Sequence, residues 1–248
     1  MIGFEQVYGL GTVGMVAGTV AFLWNLKSAD ARDRLFYVLL SAISGIASVA
    51  YVAMTLGYGW VVVADGSRVV FVPRYLDWIL TTPLLLAFLG LLAGCDRQSI
   101  SKLVGVNTVV MVLGTAAALQ SGPVSYGLFV VAGAAYAILL RLLLGSVSEQ
   151  ARQQDPAVNS LFRSLRNLTA VLWSVYPIVW LLGPPGLAVL TTTVDVMLVV
   201  YLDLLTKVGF GLIALNAGSV LERQQLSLPE LGGSDDGESS PGATGAEA

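Results

Sequence analysis

The chain has 248 residues and no histidine. That absence removes the commonest metal ligand and the commonest general base near neutral pH, so most hydrolase and metalloenzyme readings lose their central residue. A single cysteine, Cys95, excludes an internal disulfide. Charge is scarce as well: 12% of the residues are charged, against about 25% in an ordinary soluble domain. Only three lysines occur, Lys27, Lys102 and Lys207. What fills the chain instead is apolar, 56% of all residues, and that is the composition of an integral membrane protein.

The net charge of −3 divides unevenly. From Glu222 onward six acids and one arginine give −5, which leaves +2 for residues 1–221. The tail, 222–248, is rich in Gly, Ser and Pro and has no apolar period, so it reads as a disordered acidic segment with no sign of nucleic-acid binding. A helix crosses the hydrocarbon core with about 20 mostly apolar residues. On that ruler residues 1–221 hold seven crossings, near 4–26, 35–58, 73–94, 103–119, 124–145, 161–183 and 187–221. The first contains Glu5 and lacks a basic leader, so it reads as a retained helix. The expected fold is an all-α seven-transmembrane-helix bundle. Asp65-Gly66 is a hairpin turn signal and adds a small external β-hairpin between helices 2 and 3.

Ten of the thirteen basic residues fall on one side of this layout: Lys27, Arg32, Arg34, Arg97, Lys102, Arg141, Arg152, Arg163, Arg166 and Arg223. The opposite side has Arg68 alone in a loop. The positive-inside rule therefore predicts a multi-pass cell-membrane protein with its amino terminus outside and its carboxyl terminus in the cytoplasm.

Arg74 and Lys207 remain, both inside membrane segments, where a charge costs roughly 2.5–3.5 kcal/mol at the bilayer centre. Asp203 and Lys207 are four residues apart and so share a helix face; Arg74, Asp77 and Thr81 form a second polar stripe at steps of three and four. Trp173, Tyr176 and Trp180 recur at the same steps, and Trp78 can join them from the third helix. An aromatic stripe in a membrane helix is ordinarily core packing or an interface belt. Beside the only intramembrane amine it is also a slot for a long flat ligand. A desolvated lysine is suited to Schiff-base chemistry with an aldehyde, while a lysine merely paired with Asp203 to hold helices together is the plainer alternative.

The stretches "RYLDWILTTPLL" (74–85), "LWSVYPIVWLLGPPG" (172–186) and "TVDVMLVVYLDLLTKVGFG" (193–211) resemble the microbial rhodopsins, and among them the haloarchaeal sensory rhodopsin II (phoborhodopsin) group. The resemblance runs over roughly residues 3–221. It implies a non-enzymatic photoreceptor with all-trans retinal bound to Lys207 as a protonated Schiff base. It makes Asp77 the primary counterion and proton acceptor, Asp203 the second counterion and Arg74 its cationic partner. Trp78, Trp173, Tyr176 and Trp180 would line the polyene, with Thr81, Val110, Met111, Gly114 and Phe129 beside it. Asp195 reads as an outer-half polar residue without a clear role.

Eleven residues from Asp77 toward the cytoplasm, on the same face, stands Phe88. The resemblance places a carboxylate there in proton pumps, and a phenyl ring cannot donate a proton. The return step should then be slow, which suits a signalling state. Thr206 and Tyr176 match the pair that couples isomerisation to signalling in sensory rhodopsin II. Tyr201 and Thr191 match positions that contact the cognate two-helix membrane transducer. The reading is a phototaxis receptor in the lipid bilayer. Its alternatives are a slow light-driven proton pump and, from another class, a chromophore-free ion-coupled transporter using Asp77, Asp203 and Lys207 as a relay. A homo-oligomer stays open.

Overall fold

The computed structural model describes residues 3–29, 34–63, 66 and 68–218. Among them seven helices are long and apolar enough to cross a membrane: α1 Phe4–Ser28, α2 Arg34–Thr55, α3 Val72–Leu92, α4 Arg97–Leu119, α5 Gly122–Ala151, α6 Pro156–Leu182 and α7 Thr192–Asn216. Between α2 and α3, β1 (Trp60–Val62) pairs antiparallel with β2 (Val69–Phe71), with Trp60 opposite Phe71 and Val62 opposite Val69. Both the seven-helix bundle and the hairpin are therefore as the sequence predicts. Gly66 takes the left-handed φ of +71° that the turn needs. Asp65, Arg32, Arg223 and the acidic tail lie outside the described residues.

The helix ends differ from the hydropathy ruler for local reasons. Helix α4 starts at Arg97 rather than 103, because the Asp96 carboxylate caps it by accepting from the Ser99 N–H at 2.9 Å. Lys102 and Arg97 thus stand on a helix and not in a loop. Helix α5 runs to Ala151 rather than 145, through a widened π turn at Leu143–Val147. Helix α6 starts at Pro156, with Asp155 as its cap. Helix α7 starts at Thr192 rather than 187, because Thr191 caps it after a connection that spans 183–191. Hydropathy marks where a helix is greasy. Caps and prolines mark where it begins.

Sequential helices pack as neighbours, and α7 closes the bundle against α1. The α1–α7 seam is tight because α1 presents Gly11, Gly14 and Gly18 on one face. A Cβ on these glycines would lie 2.9 Å from Val200, 2.5 Å from Leu204 and 2.7 Å from Val208, residues that recur every four along α7. There α7 itself departs from α geometry: Leu204–Gly209 is a second π turn, and Lys207 lies within it. Such bulges are rare and favour functional sites. The β1–β2 hairpin is pinned to the bundle by Arg68, which donates to the Ala118 carbonyl at 3.0 Å and also to the Gln120 carbonyl.

Candidate functional site

Lys207 is 2% exposed, and its Nζ lies 2.5 Å from Asp77 Oδ2 and 3.5 Å from Asp203 Oδ2. Two carboxylates on different helices therefore flank one buried amine, which is how so costly a charge can be kept in a membrane interior. The two acids are held very differently. Asp203 accepts from the Tyr176 hydroxyl at 2.6 Å, the Tyr51 hydroxyl at 2.8 Å and the Trp78 indole N–H at 3.1 Å. Asp77 gives Oδ2 to Lys207, while its buried Oδ1 has no hydrogen-bond partner among the described residues.

Arg74 differs from its expected place. Its guanidinium pairs with Asp195 at 3.1 Å and donates to the Tyr8 hydroxyl at 2.8 Å, so its ionic partner is Asp195 and not Asp203. The reason is position: Arg74 is three residues, about one turn, nearer the start of α3 than Asp77, level with the start of α7 where Asp195 sits. Asp195 thereby gains the role that its spacing did not give it.

From the amine a largely apolar cavity runs between α3, α4, α5, α6 and α7. Trp78, Trp173, Tyr176, Trp180, Val110, Met111, Gly114, Phe129 and Thr206 all line it, together with Lys207, Asp203 and Arg74. Trp180 and Phe129 stack at 4.2 Å with their planes 9° apart. Thr81 does not line the cavity; it is buried behind it, donating to the Asp77 carbonyl at 2.8 Å. Its neighbour Thr82 lines the wall instead and accepts from the buried Asn107 amide at 2.7 Å. Tyr51 and Tyr8 could not be found by spacing, since they come from helices without a charge stripe. Gly133 and Tyr136 on α5 also line the wall.

Phe88 is fully buried, with its ring edge-on to Phe36 at 4.9 Å and Phe210 at 5.2 Å. Tyr201 points outward from α7, 62% exposed. Thr191 is exposed, and its hydroxyl accepts from the Val194 N–H at 3.4 Å as the helix cap.

A family profile described as "Bacteriorhodopsin-like protein" matches residues 4–221, nearly the whole described bundle. The chain belongs to the bacteriorhodopsin-like family. It is 52% identical over 224 residues to sensory rhodopsin-2 of Natronomonas pharaonis, covering 90% of this chain and 93% of that one. It is 40% identical over 228 residues to bacteriorhodopsin of Haloterrigena sp. (strain arg-4), covering 90% and 91%. Among solved structures, thermophilic rhodopsin from Rubrobacter xylanophilus superposes with a TM-score of 0.88 at 38% identity, covering 91% of this chain and 100% of that one. These microbial rhodopsins are multi-pass membrane proteins, photoactive rather than enzymatic, and the family binds retinal. Membership removes the ground for a chromophore-free transporter.

The residues present fit that group. The cavity joins one amine to a long aromatic wall, and a Cβ built on Gly114 or Gly133 would meet nothing within 4 Å. Glycine there leaves open the space that a polyene and its ring would fill.

Proposed function

We propose that this chain is a phototaxis receptor of the sensory rhodopsin II kind, holding all-trans retinal on Lys207 and signalling to a two-helix membrane transducer. The observation that carries the reading is the buried Lys207 amine at the cavity's end, between Asp77 at 2.5 Å and Asp203 at 3.5 Å. Bound retinal supplies visible absorption and a light-driven isomerisation of its polyene. The residues supply the rest. Asp77 is placed to take a proton from the Lys207 nitrogen: it is the nearer acid, and its second oxygen is unsatisfied. Asp203 is already committed to three donors that each stabilise its anion, so it acts as the standing counter-charge. Tyr176 links the aromatic wall to Asp203, and Thr206 lines the cavity beside Lys207, which supports this pair as the first relay of movement.

Phe88 favours a sensor over a pump. A fully buried phenylalanine packed between two more rings offers no proton on the cytoplasmic side of the site, so reprotonation should be slow. Tyr201 on the outward face of α7 suits a helical partner in the bilayer, whereas Thr191 has its hydroxyl engaged in capping and would contribute mainly its position. The basic residues at the ends of α1, α2, α4, α5 and α6 support a cytoplasmic carboxyl terminus.

The test is reconstitution of the full chain with all-trans retinal. Wild type should gain a visible band, Lys207→Ala should gain none, and borohydride should fix the label on Lys207. A label on Lys27 or Lys102 would overturn the assignment.

A further inference from the structure

Far from the cavity, at the end of the bundle where the basic residues gather, α5 and α6 enclose an open, mainly polar depression of about 210 Å³. Its walls are Ser148, Arg152, Asn159, Arg163 and Arg166. Three guanidinium groups in so small a space need negative charge, and the described residues around them supply little. Helix α6 contains no Asp or Glu from Pro156 to Leu182. Glu149 is spent on Arg152 at 2.9 Å, with both side chains exposed. Asp155 turns its carboxylate to the Ala157 N–H at 2.8 Å. Arg163 and Arg166, one turn apart, are left as a like-charged pair with no ion-pair partner among the described residues, an arrangement that disfavours the helix.

The depression is nonetheless held in shape. Arg166 donates to Ser148 Oγ at 2.8 Å and twice to Asn167, and its guanidinium lies over the Phe162 ring at 5.8 Å. Ser148 is buried and donates back to the Leu143 carbonyl at 2.7 Å across the π turn. That turn adds a residue to α5 and so aims Ser148 at α6. Arg163, by contrast, is exposed and has no hydrogen-bond partner among the described residues, so its donors are available to a ligand.

We propose that this depression binds the phosphate group of an anionic phospholipid at the cytoplasmic surface. Guanidinium forks match phosphate oxygens in pairs. Arg163 and Arg166 stand where α6 leaves its apolar stretch, which is headgroup level, and basic pockets between membrane helices on this side are suited to lipid headgroups. The site would tie the ends of α5 and α6 together through a lipid rather than through protein contacts.

The test uses the full chain in nanodiscs of phosphatidylcholine containing one quarter phosphatidylglycerol, with native mass spectrometry reading the lipids retained. Wild type should hold phosphatidylglycerol preferentially. Arg163→Gln, an exposed change, should weaken retention severalfold, and Arg163→Gln with Arg166→Gln by about tenfold or more, since each basic residue near an anionic surface contributes roughly 1 kcal/mol. Arg141→Gln, on α5 but outside the depression, should change nothing. Equal retention by wild type and both Gln variants overturns the proposal. So does equal retention of phosphatidylcholine, or inorganic phosphate occupying the site in detergent while phosphatidylglycerol does not. Lipid retention that emerges only after the acids at 230–247 are neutralised would give the depression to the acidic tail instead, and the lipid proposal would fall.

Discussion

Adding a single methyl group to Gly18 tests whether α1 really shapes the π turn that carries Lys207. A Cβ there would stand 2.7 Å and 3.0 Å from the two methyls of Val208 and 3.4 Å from its Cβ. Ordinary carbon contacts lie near 3.5–4.0 Å, so the gap must open by almost 1 Å. Val208 is β-branched and stiff at χ1, so it cannot swing aside, and the strain falls on the helix backbone beside Lys207. Overpacking of this kind typically costs 1–3 kcal/mol, against up to about 1 kcal/mol regained because Ala favours helix over Gly. Gly18→Ala should therefore be destabilising, by up to about 2 kcal/mol net once the full helix gain is subtracted. Gly14→Ala meets only the tip of Leu204 at 2.5 Å, a flexible end that can rotate, and should cost less. Gly9→Ala on the same helix meets one atom at 3.8 Å and should be neutral or stabilising. Equilibrium unfolding in mixed micelles would rank the three, and Val208→Ala should rescue Gly18→Ala. Equal stabilities for all three variants, or strict additivity of Gly18→Ala with Val208→Ala, would refute the reasoning.

Asp77→Asn removes the nearer carboxylate, so the retinal-bound protein should absorb further to the red and transfer its proton poorly; an unshifted spectrum with normal transfer would make Asp203 the acceptor. Phe88→Asp places an acid where only rings now pack, and flash photolysis should show faster recovery, provided that wild type is slow and speeds up with azide. Tyr51→Phe deletes one donor to the buried Asp203 and should cost about 1.5–3 kcal/mol in unfolding assays, as for hydrogen bonds to charged groups. The Ser99 N–H and hydroxyl hold the Asp96 carboxyl below its ordinary value. Its contribution to α4 is then fully present above the unfolded carboxyl's pKa and lost as pH falls through the lower folded value, so Asp96→Asn should flatten the acid limb of a stability–pH profile. A wild-type acid limb that the substitution leaves unchanged would count against the cap.

The sequence by itself determined the membrane, the number of crossings, the hairpin between helices 2 and 3 and the polar core of the site. Each is a matter of one-dimensional pattern: apolar runs match the thickness of a bilayer, and charges at steps of three and four must share a helix face. Lys207, Asp77, Asp203 and the Trp173–Tyr176–Trp180 wall belong to that class, because intramembrane charge is too costly to be incidental. Only the tertiary structure decided which charge meets which. Arg74 takes Asp195 because depth along α3 and α7, not separation in sequence, sets the pairing. Tyr51 and Tyr8 enter from helices whose own spacing says nothing, and Thr82 lines the cavity where Thr81 was expected. The π turn at Leu204–Gly209 has no pattern in sequence either, and the close seating of its Leu204 and Val208 on the glycine face of α1 is a fit between two surfaces that exists only once both are folded.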